Sequence, residues 1–172
     1  MLLVWHGAEE KGLLGSAQFT KHPTVPIDSI VAQINSDMIG RRGGGTSTFD
    51  SRISGSSSEN RVFVIGPQAA PSNQSHALGA IFDTVNARQQ RPFDIDRALD
   101  APDHPERYYE RSDHYNYAQK GIPVLMLSTG FHEDYHKVSD EASKVDFEKM
   151  ARIGSLMLDF TRTLANRDRR PR

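Results

Sequence analysis

Short, largely apolar runs alternate with amphipathic stretches along this chain of 172 residues. An apolar run between turn residues is typical of a strand buried on both faces. Such runs occupy residues 1–5, 30–34, 61–65 and 124–127, which predicts four strands. Apolar residues at helical spacing predict two long helices, over 75–90 and 145–165, and shorter helices are predicted over 12–21 and 112–120.

Strands that alternate with helices predict an α/β fold, here a three-layer αβα sandwich with a mostly buried mixed sheet. The chain opens directly on an apolar run, although a central strand needs a neighbour on each side. We therefore expect either a sheet that is incomplete at its N-terminal side, or an edge strand or frayed apolar terminus. Residues 1–166 are predicted to form one domain and residues 167–172 an Arg-rich tail, while 40–58, 92–105 and 130–140 are predicted loops.

Composition excludes several kinds of function. Cysteine is absent, so a disulfide framework, thiolate zinc sites and a cysteine nucleophile are excluded, and any metal must be held by nitrogen and oxygen ligands. The formal net charge of -1 provides no global field that would attract nucleic acid or an anionic membrane. No apolar run approaches the ~20 residues that span a bilayer. We therefore expect neither a nucleic-acid partner nor a membrane span.

Acidic and imidazole side chains follow three of the predicted strands. Glu9 and Glu10 follow the first strand, Asp37 follows the second, and residues 132–136 follow the run at 124–127. In open α/β sheets, ligand sites gather beyond the carboxyl ends of the strands. We therefore expect these three segments to meet along one edge of the sheet.

The residues alone leave the roles of these acids open. The adjacent carboxylates of Glu9 and Glu10 repel each other unless a cation or solvent separates them. Beside a metal ion, one can bind the ion while the other receives the proton of a water. The alternative is a solvated helix start. Asp37 is costly at a strand end unless it is paired, and its alternative role is to cap a neighbouring loop.

The segment His132-Glu133-Asp134-Tyr135-His136 matches H-E-x-x-H, the zinc-binding pattern of one class of metalloproteases. That pattern requires a helix, because only a helix places both histidines on one face. Here a strand and a glycine turn precede the segment, and no apolar helical face continues through it. We therefore expect a loop at 132–136, with the helical protease as the alternative.

Four segments together resemble a known family. They are WHGAEEKGLLGS (5–16), NSDMIGR (35–41), RSDHYNYAQKGIPVL (111–125) and TGFHEDYHKVSD (129–140). Their order and spacing resemble the M28 family of zinc peptidases, mostly aminopeptidases. The resemblance covers nearly the whole chain, and four motifs in sequence are specific where any single one is weak.

The resemblance implies a role for each matching residue. Glu9 matches the general base, which takes a proton from a zinc-bound water. Glu10 and His136 match ligands of one zinc, and Asp37 matches a ligand of the other. Tyr135 matches a position that hydrogen-bonds the oxyanion in some members of the family. His132 and Glu133 then have no catalytic role.

Other residues are implied to support this site. Ser112, Asp113 and His114 match a motif near the pocket that supports the ligands or contacts substrate. Asp140 is expected to orient His136 or to cap the last helix, since carboxylates commonly orient a ligating imidazole. The resemblance further implies two zinc ions in an intact domain, peptides as substrates and removal of N-terminal residues.

The family pattern also includes a histidine and a metal-bridging aspartate upstream of the Glu-Glu pair, and only eight residues precede Glu9. We therefore expect an N-terminally truncated peptidase domain with a partial zinc site and impaired activity. The origin of such a chain stays open between a fragment, a misassigned start and a decayed gene product.

Two further functions stay open beside the aminopeptidase and the helical protease. One is a glutaminyl-cyclase-like enzyme with a single zinc, and the other is a non-catalytic binding module on the same fold. Relatives are often exported, so the expected location of the parent protein is secreted or periplasmic. The sequence sets neither the oligomeric state nor the preferred substrate side chain.

Overall fold

The computed structural model describes residues 1–42, 59–70 and 73–171, in which four α-helices and four strands are formed. The helices are α1 (Leu14–Lys21), α2 (Asn73–Ala87), α3 (His114–Ala118) and α4 (Phe147–Ala165). The strands are β1 (Gln33–Ser36), β2 (Arg61–Ile65), β3 (Asp94–Asp96) and β4 (Val124–Ser128). Single 3-10 turns cover Glu9–Lys11, Ile27–Ser29, Ala98–Asp100, Tyr108–Glu110 and Ala142–Lys144.

The strands form one mixed sheet in the order β1-β4-β2-β3. β1 runs parallel to β4, β4 runs antiparallel to β2, and β2 runs parallel to β3. The predicted α/β fold with a mixed sheet is therefore confirmed. Most of the loop predicted over 40–58 lies outside the described residues.

Helices α2 and α4 cover one face of the sheet. Val62 and Val64 of β2 and Leu125 and Leu127 of β4 point to this face, and all four are fully buried. They pack with apolar side chains of the two helices: Leu78, Phe82, Val85, Ile153, Leu156 and Phe160. Each such side chain contributes about 1.5–3 kcal/mol when it is fully buried.

The opposite face carries a second layer. Phe63, Ile65 and Met126 pack there with Leu99 and Tyr108. Beside them, Tyr117, Ile122 and Val124 form a further cluster that includes Phe19 of α1. Helices on both faces complete the three-layer arrangement that the sequence predicts.

Lys149 of α4 fixes the chain on both sides of the segment 43–60. Its side chain is buried, and its Nζ donates to the Arg42 carbonyl at 2.6 Å and to the Arg61 carbonyl at 2.7 Å. Burial lowers the pKa of Lys149 to about 8. Arg42 also pairs with Glu59 at 2.9 Å, so the described residues on either side of 43–58 lie close together.

The predicted strand at residues 1–5 is wrong. These residues form no regular element and stay exposed, with Trp5 at 86% and Met1 at 85% of full exposure. Among the described residues no strand pairs with them, and an apolar run forms a buried strand only when neighbouring strands cover it. The alternative of an apolar terminus outside the sheet describes this structure.

Two further strand predictions need correction. The strand predicted at 30–34 is displaced to Gln33–Ser36, because Gln33 N donates to the Pro123 carbonyl at 2.9 Å and β1 follows β4 from there. The sequence pattern did not predict β3, which lies within the predicted loop 92–105. This edge strand is short and polar, so it carries no apolar pattern, and Asp96 pairs with Arg61 at 3.6 Å.

The helix predictions hold to within three residues at each end. In the predicted tail, Arg170 donates to the Asp28 carbonyl at 2.6 Å. Among the described helices, none has the length and apolar character that crossing a bilayer requires.

Candidate metal centre

The carboxyl ends of β1 and β4 lie side by side at one edge of the sheet. Asp37 N donates to the Leu127 carbonyl at 3.1 Å, and Thr129 N donates to the Met38 carbonyl at 3.0 Å. Parallel pairing of β1 with β4 therefore carries Asp37 to the start of the loop that contains Tyr135 and His136. Two of the three predicted segments meet as expected.

Glu9 and Glu10 reach the same edge from a 3-10 turn and not from the end of a strand. The turn is packed against α1, where Gly15 N donates to the Gly7 carbonyl at 3.0 Å. A Cβ on Gly15 would lie 2.3 Å from that carbonyl oxygen, so only glycine fits. This close approach holds Glu9 and Glu10 at the sheet edge, although the strand predicted at residues 1–5 is not formed.

Glu10 and His136 are in direct contact. Glu10 Oε1 lies 2.8 Å from His136 Nε2, although 126 residues separate them in sequence. Both side chains are more than half exposed, which leaves the pair accessible to an ion from solvent. The Tyr135 ring stacks on the His136 ring with 3.8 Å between centroids and fixes its orientation.

Glu9 lies within the field of the other acids. Burial above all, together with the nearby carboxylates of Asp37, Glu10 and Asp113, raises the pKa of Glu9 to about 7, while His136 opposes the shift. A carboxyl group with this pKa is poised to take up and release a proton near neutrality. Burial also raises the pKa of Tyr135, so its hydroxyl stays protonated as a donor.

Asp37 is held by a chain of hydrogen bonds. The buried Ser112 hydroxyl donates to Asp37 Oδ2 at 2.7 Å and accepts from Asn35 Nδ2 at 2.8 Å. One carboxylate oxygen is thereby oriented, and the side chain is paired as its position at a strand end requires. Ser112 thus contacts Asp37, as a supporting residue would.

Asp113 and His114 are buried beside this chain. Asp113 Oδ1 and both ring nitrogens of His114 make no hydrogen bond of good geometry within the described residues. Burial lowers the pKa of His114 to about 4, against a weaker opposing contribution from the Tyr109 carbonyl. His114 is therefore neutral at pH 7.

Asp140 has neither of the two contacts expected for it. Its carboxylate accepts from Arg41 at 2.6 Å, while His136 contacts Glu10. The last helix is capped by Asp146, whose side chain accepts from Lys149 N at 3.0 Å. Asp146 directly precedes the helix, which is the position where a side-chain oxygen reaches the free N–H groups.

The sequence pattern gave Asp134 no role at the site. Its buried carboxylate accepts from Arg41 at 2.9 Å and from Lys144 at 2.6 Å, and these cations hold its pKa far below the usual range. Arg41 follows Asp37 by four residues, so this network ties the Asp37 segment to the loop that carries Tyr135 and His136. The available signal was an acid directly before Tyr135 in one of the four motifs.

Residues 132–136 form turns and not a helix, as predicted. His132 Nε2 lies 3.8 Å from Asp140, whereas His136 Nε2 contacts Glu10. The two histidines therefore face different partners and do not share one helix face.

Left-handed backbone recurs at the site. Ala8, Met38 and His136 have φ of 56°, 54° and 57°, and each lies at or beside a predicted site residue. Such conformations are strained for residues other than glycine and cluster where function requires a particular geometry.

A cavity of about 360 Å³ connects these residues. Its acidic lining residues are Glu9, Glu10, Asp37 and Glu110, beside Tyr135 and His136. Its apolar lining residues include Ile65, Leu99, Tyr108, Met126 and Phe131. Arg111 also lines the cavity and was not predicted, although it directly precedes Ser112 in one of the four motifs. A second cavity of about 480 Å³ is lined by Arg41, Arg42 and Lys144, whose charges are already paired with acids.

The donor atoms of Glu10 and His136 are of the kinds that bind zinc, but they lie closer together than two ligand atoms of one zinc ion would. Imidazole nitrogen and carboxylate oxygen are zinc ligands, with bond lengths that place tetrahedral ligand atoms about 3.3 Å apart. The 2.8 Å contact of Glu10 with His136 is shorter, so these two side chains would separate slightly to admit an ion. Within the described ranges, no three His, Asp or Glu side chains are grouped to hold a metal.

Comparison with known proteins gives one family. The model of peptidase family M28 matches residues 1–161. A search of curated proteins found no match.

Solved structures of aminopeptidases share the fold, as three examples illustrate. LapA aminopeptidase of Legionella pneumophila is 22% identical with a TM-score of 0.63, and the match covers 96% of this chain and 39% of the LapA chain. The aminopeptidase of Aneurinibacillus sp. strain AM-1 is 20% identical with a TM-score of 0.61, and the match covers 91% of this chain and 31% of that protein. BSAP, a zinc aminopeptidase from Bacillus subtilis, is 17% identical with a TM-score of 0.60, and the match covers 92% of this chain and 34% of BSAP. This chain thus spans about a third of the length of these proteins.

Proposed function

Since the chain belongs to peptidase family M28, we propose that its site serves a zinc-dependent aminopeptidase, which removes N-terminal residues from peptides. The contact of Glu10 with His136 at 2.8 Å, beside Glu9 and in the same cavity as Asp37, carries this proposal. Nitrogen and oxygen donors from distant segments meet there at an exposed edge, where an ion and a peptide can enter.

Each site residue receives a role in this proposal. Glu10 and His136 would hold one zinc ion, and Asp37 would hold a second, oriented by the Ser112 hydroxyl. Zinc, when bound, lowers the pKa of a coordinated water and polarises the scissile carbonyl. Glu9 takes the proton from the attacking water and delivers it to the leaving amine. The Tyr135 hydroxyl donates toward the oxygen on which negative charge develops.

The acidic lining residues also suit the substrate end that such an enzyme binds. A free peptide N-terminus is an ammonium group, and Glu9 and Asp37 offer carboxylate oxygens in the same cavity. Pairing of the ammonium with an acid places the first peptide bond next to Glu9. The cavity therefore supports removal of one residue at a time.

A single-zinc enzyme of the glutaminyl-cyclase type is the second candidate. The observation that favours it is that one ligand pair, Glu10 with His136, is in contact within the described residues. Zinc titration separates the candidates, because the aminopeptidase proposal expects a second equivalent that Asp37→Asn removes.

The proposal is tested with the chain and added zinc, using leucine p-nitroanilide as substrate. Glu9→Gln should lower the rate by about 100-fold or more, because it removes the proton acceptor, while zinc affinity stays near that of the wild type. Glu133→Gln is the matched control, since it removes an exposed carboxylate that lies in the loop 130–140 and does not line the cavity. A low rate of the zinc-loaded wild type agrees with the impaired activity expected from the sequence, whereas equal loss in both variants would contradict the proposal.

A further inference from the structure

The cavity beside Glu10 and His136 is lined by charged groups of both signs. Four carboxylates line it, those of Glu9, Glu10, Asp37 and Glu110, and Arg111 is the one Lys or Arg side chain among the described residues that line the cavity. The zinc chemistry proposed above uses the acidic lining residues and gives Arg111 no part. A cation among the lining residues of the cavity therefore needs a separate explanation.

Arg111 is held in place by aromatic faces. Its guanidinium carbon lies 5.3 Å from the centroid of the Tyr108 ring and 5.7 Å from that of the Phe131 ring. Both rings are among the apolar lining residues, and Phe131 packs edge-on against Tyr135 at 4.9 Å. Stacking on two rings restricts the rotamers of Arg111, so little entropy is lost when its N–H groups bind a ligand.

The donors of Arg111 are only weakly engaged by acids of the chain. Its ionic partner within the described residues is Glu106 at 3.7 Å, and both side chains are more than a third exposed. Such a pair contributes little. Glu110, the acid nearest in sequence, is instead bound by Arg107 at 2.6 Å.

We propose that Arg111 forms a carboxylate-binding subsite, so that the site prefers short peptides with a free C-terminal carboxylate. This inference rests on the proposed function, because the peptide ammonium is taken to face Glu9 and Asp37. A zwitterionic dipeptide or tripeptide would then pair its ammonium group with the acids and its carboxylate with Arg111. A guanidinium binds a carboxylate through two parallel N–H donors, which gives the contact direction as well as strength.

The test measures binding without turnover, by calorimetry on the metal-free full chain. Leu-Leu is compared with its C-terminal amide, which keeps the ammonium and the side chains but lacks the carboxylate. We expect Leu-Leu to bind about tenfold more tightly than the amide. In Arg111→Gln the two ligands should bind equally, and Arg111→Lys should restore part of the preference, since lysine keeps the charge but not the paired donors.

Arg162→Gln is the matched control, because it removes the same charge from an exposed position of α4 outside the cavity. It should retain the full preference for Leu-Leu. A further pair, Leu-Glu-amide and Leu-Gln-amide, tests whether Arg111 also accepts a side-chain carboxylate. A preference in this pair that Arg111→Gln removes supports the same carboxylate chemistry from a second source.

Equal affinity of the wild type for Leu-Leu and its amide, or no measurable binding of either, overturns the inference. A preference that survives in Arg111→Gln overturns it as well. Leucine p-nitroanilide has no carboxylate, so its hydrolysis tests the proposed function separately. A chain that cleaves it without discriminating the peptides contradicts the inference alone, and one that discriminates while Glu9→Gln and Glu133→Gln lose activity equally contradicts the proposed function alone.

Discussion

His132 and His136 lie four residues apart but have different neighbours. His136 contacts Glu10 at the cavity, and His132 faces Asp140 away from it. We expect His136→Ala to lower zinc affinity by more than about tenfold, because it removes a ligand. His132→Ala should leave zinc affinity within about threefold of the wild type, since it removes none. Zinc titration by calorimetry decides, and the reverse order of effects would support the helical H-E-x-x-H interpretation.

His114 links folding stability to pH. The group has a pKa of about 4 in the folded chain and 6.5 as its ordinary value, so between these values the unfolded chain binds a proton that the folded chain does not. Stability is therefore complete above pH 6.5 and falls as pH decreases toward about 4, by up to about 3 kcal/mol.

Urea denaturation across this pH window measures the effect. His114→Phe keeps an aromatic ring in the buried position and has no proton to bind, so its stability should lose the part of the pH dependence that His114 supplies. A variant with the same acid sensitivity as the wild type would assign the effect to other groups.

At the scale of elements, Asp134 holds the loop 130–140 in place. Arg41 and Lys144 reach it from the two flanking segments. We expect Asp134→Asn to weaken zinc binding by about tenfold, because a displaced ligand loop costs affinity much as loss of an orienting partner does. Asp140→Asn is the control, since Asp140 pairs with the same Arg41 but is half exposed. Similar losses in both variants would place the effect on Arg41 and not on Asp134.

Elements with a strong apolar pattern were predictable from the sequence. β2, β4, α2 and α4 were all located, because each buries a continuous or periodic apolar set. β3 was not, since an edge strand needs no apolar side chains. Residues 1–5 were wrongly assigned because burial of a strand depends on neighbours that the local sequence does not reveal.

The meeting of Glu9, Glu10, Asp37 and His136 was predicted from their positions after strands, with Glu9 and Glu10 reaching the edge by a 3-10 turn instead. The contacts of Arg111 and Asp134 were not predicted. Asp134 meets Arg41 across 93 residues, and such a pairing follows from the folded path of the chain and leaves no spacing signal.

At the scale of the whole molecule, the exposed segment 1–5 presents five apolar side chains to solvent. Trp5 is the single tryptophan of the chain, so its fluorescence reports on this segment alone. We expect a dilute sample to show the long-wavelength emission of a hydrated indole and ready quenching by iodide. Emission should shift to shorter wavelength as concentration rises, if copies associate through exposed apolar surface. Leu3→Lys should suppress that shift, and a blue-shifted, unquenched dilute sample would contradict the exposed position.

The buried Lys149 has a practical consequence for protein engineering. One ammonium group binds the carbonyls of both Arg42 and Arg61, so the residues on either side of the intervening segment are held at the same side chain of α4. Closure of a longer loop adds only a small entropic cost, about 0.6 kcal/mol for each doubling of length. The segment between these anchors is therefore a graft point, where an epitope, a fluorophore or a protease site can be inserted while Lys149 keeps the two flanking residues in place.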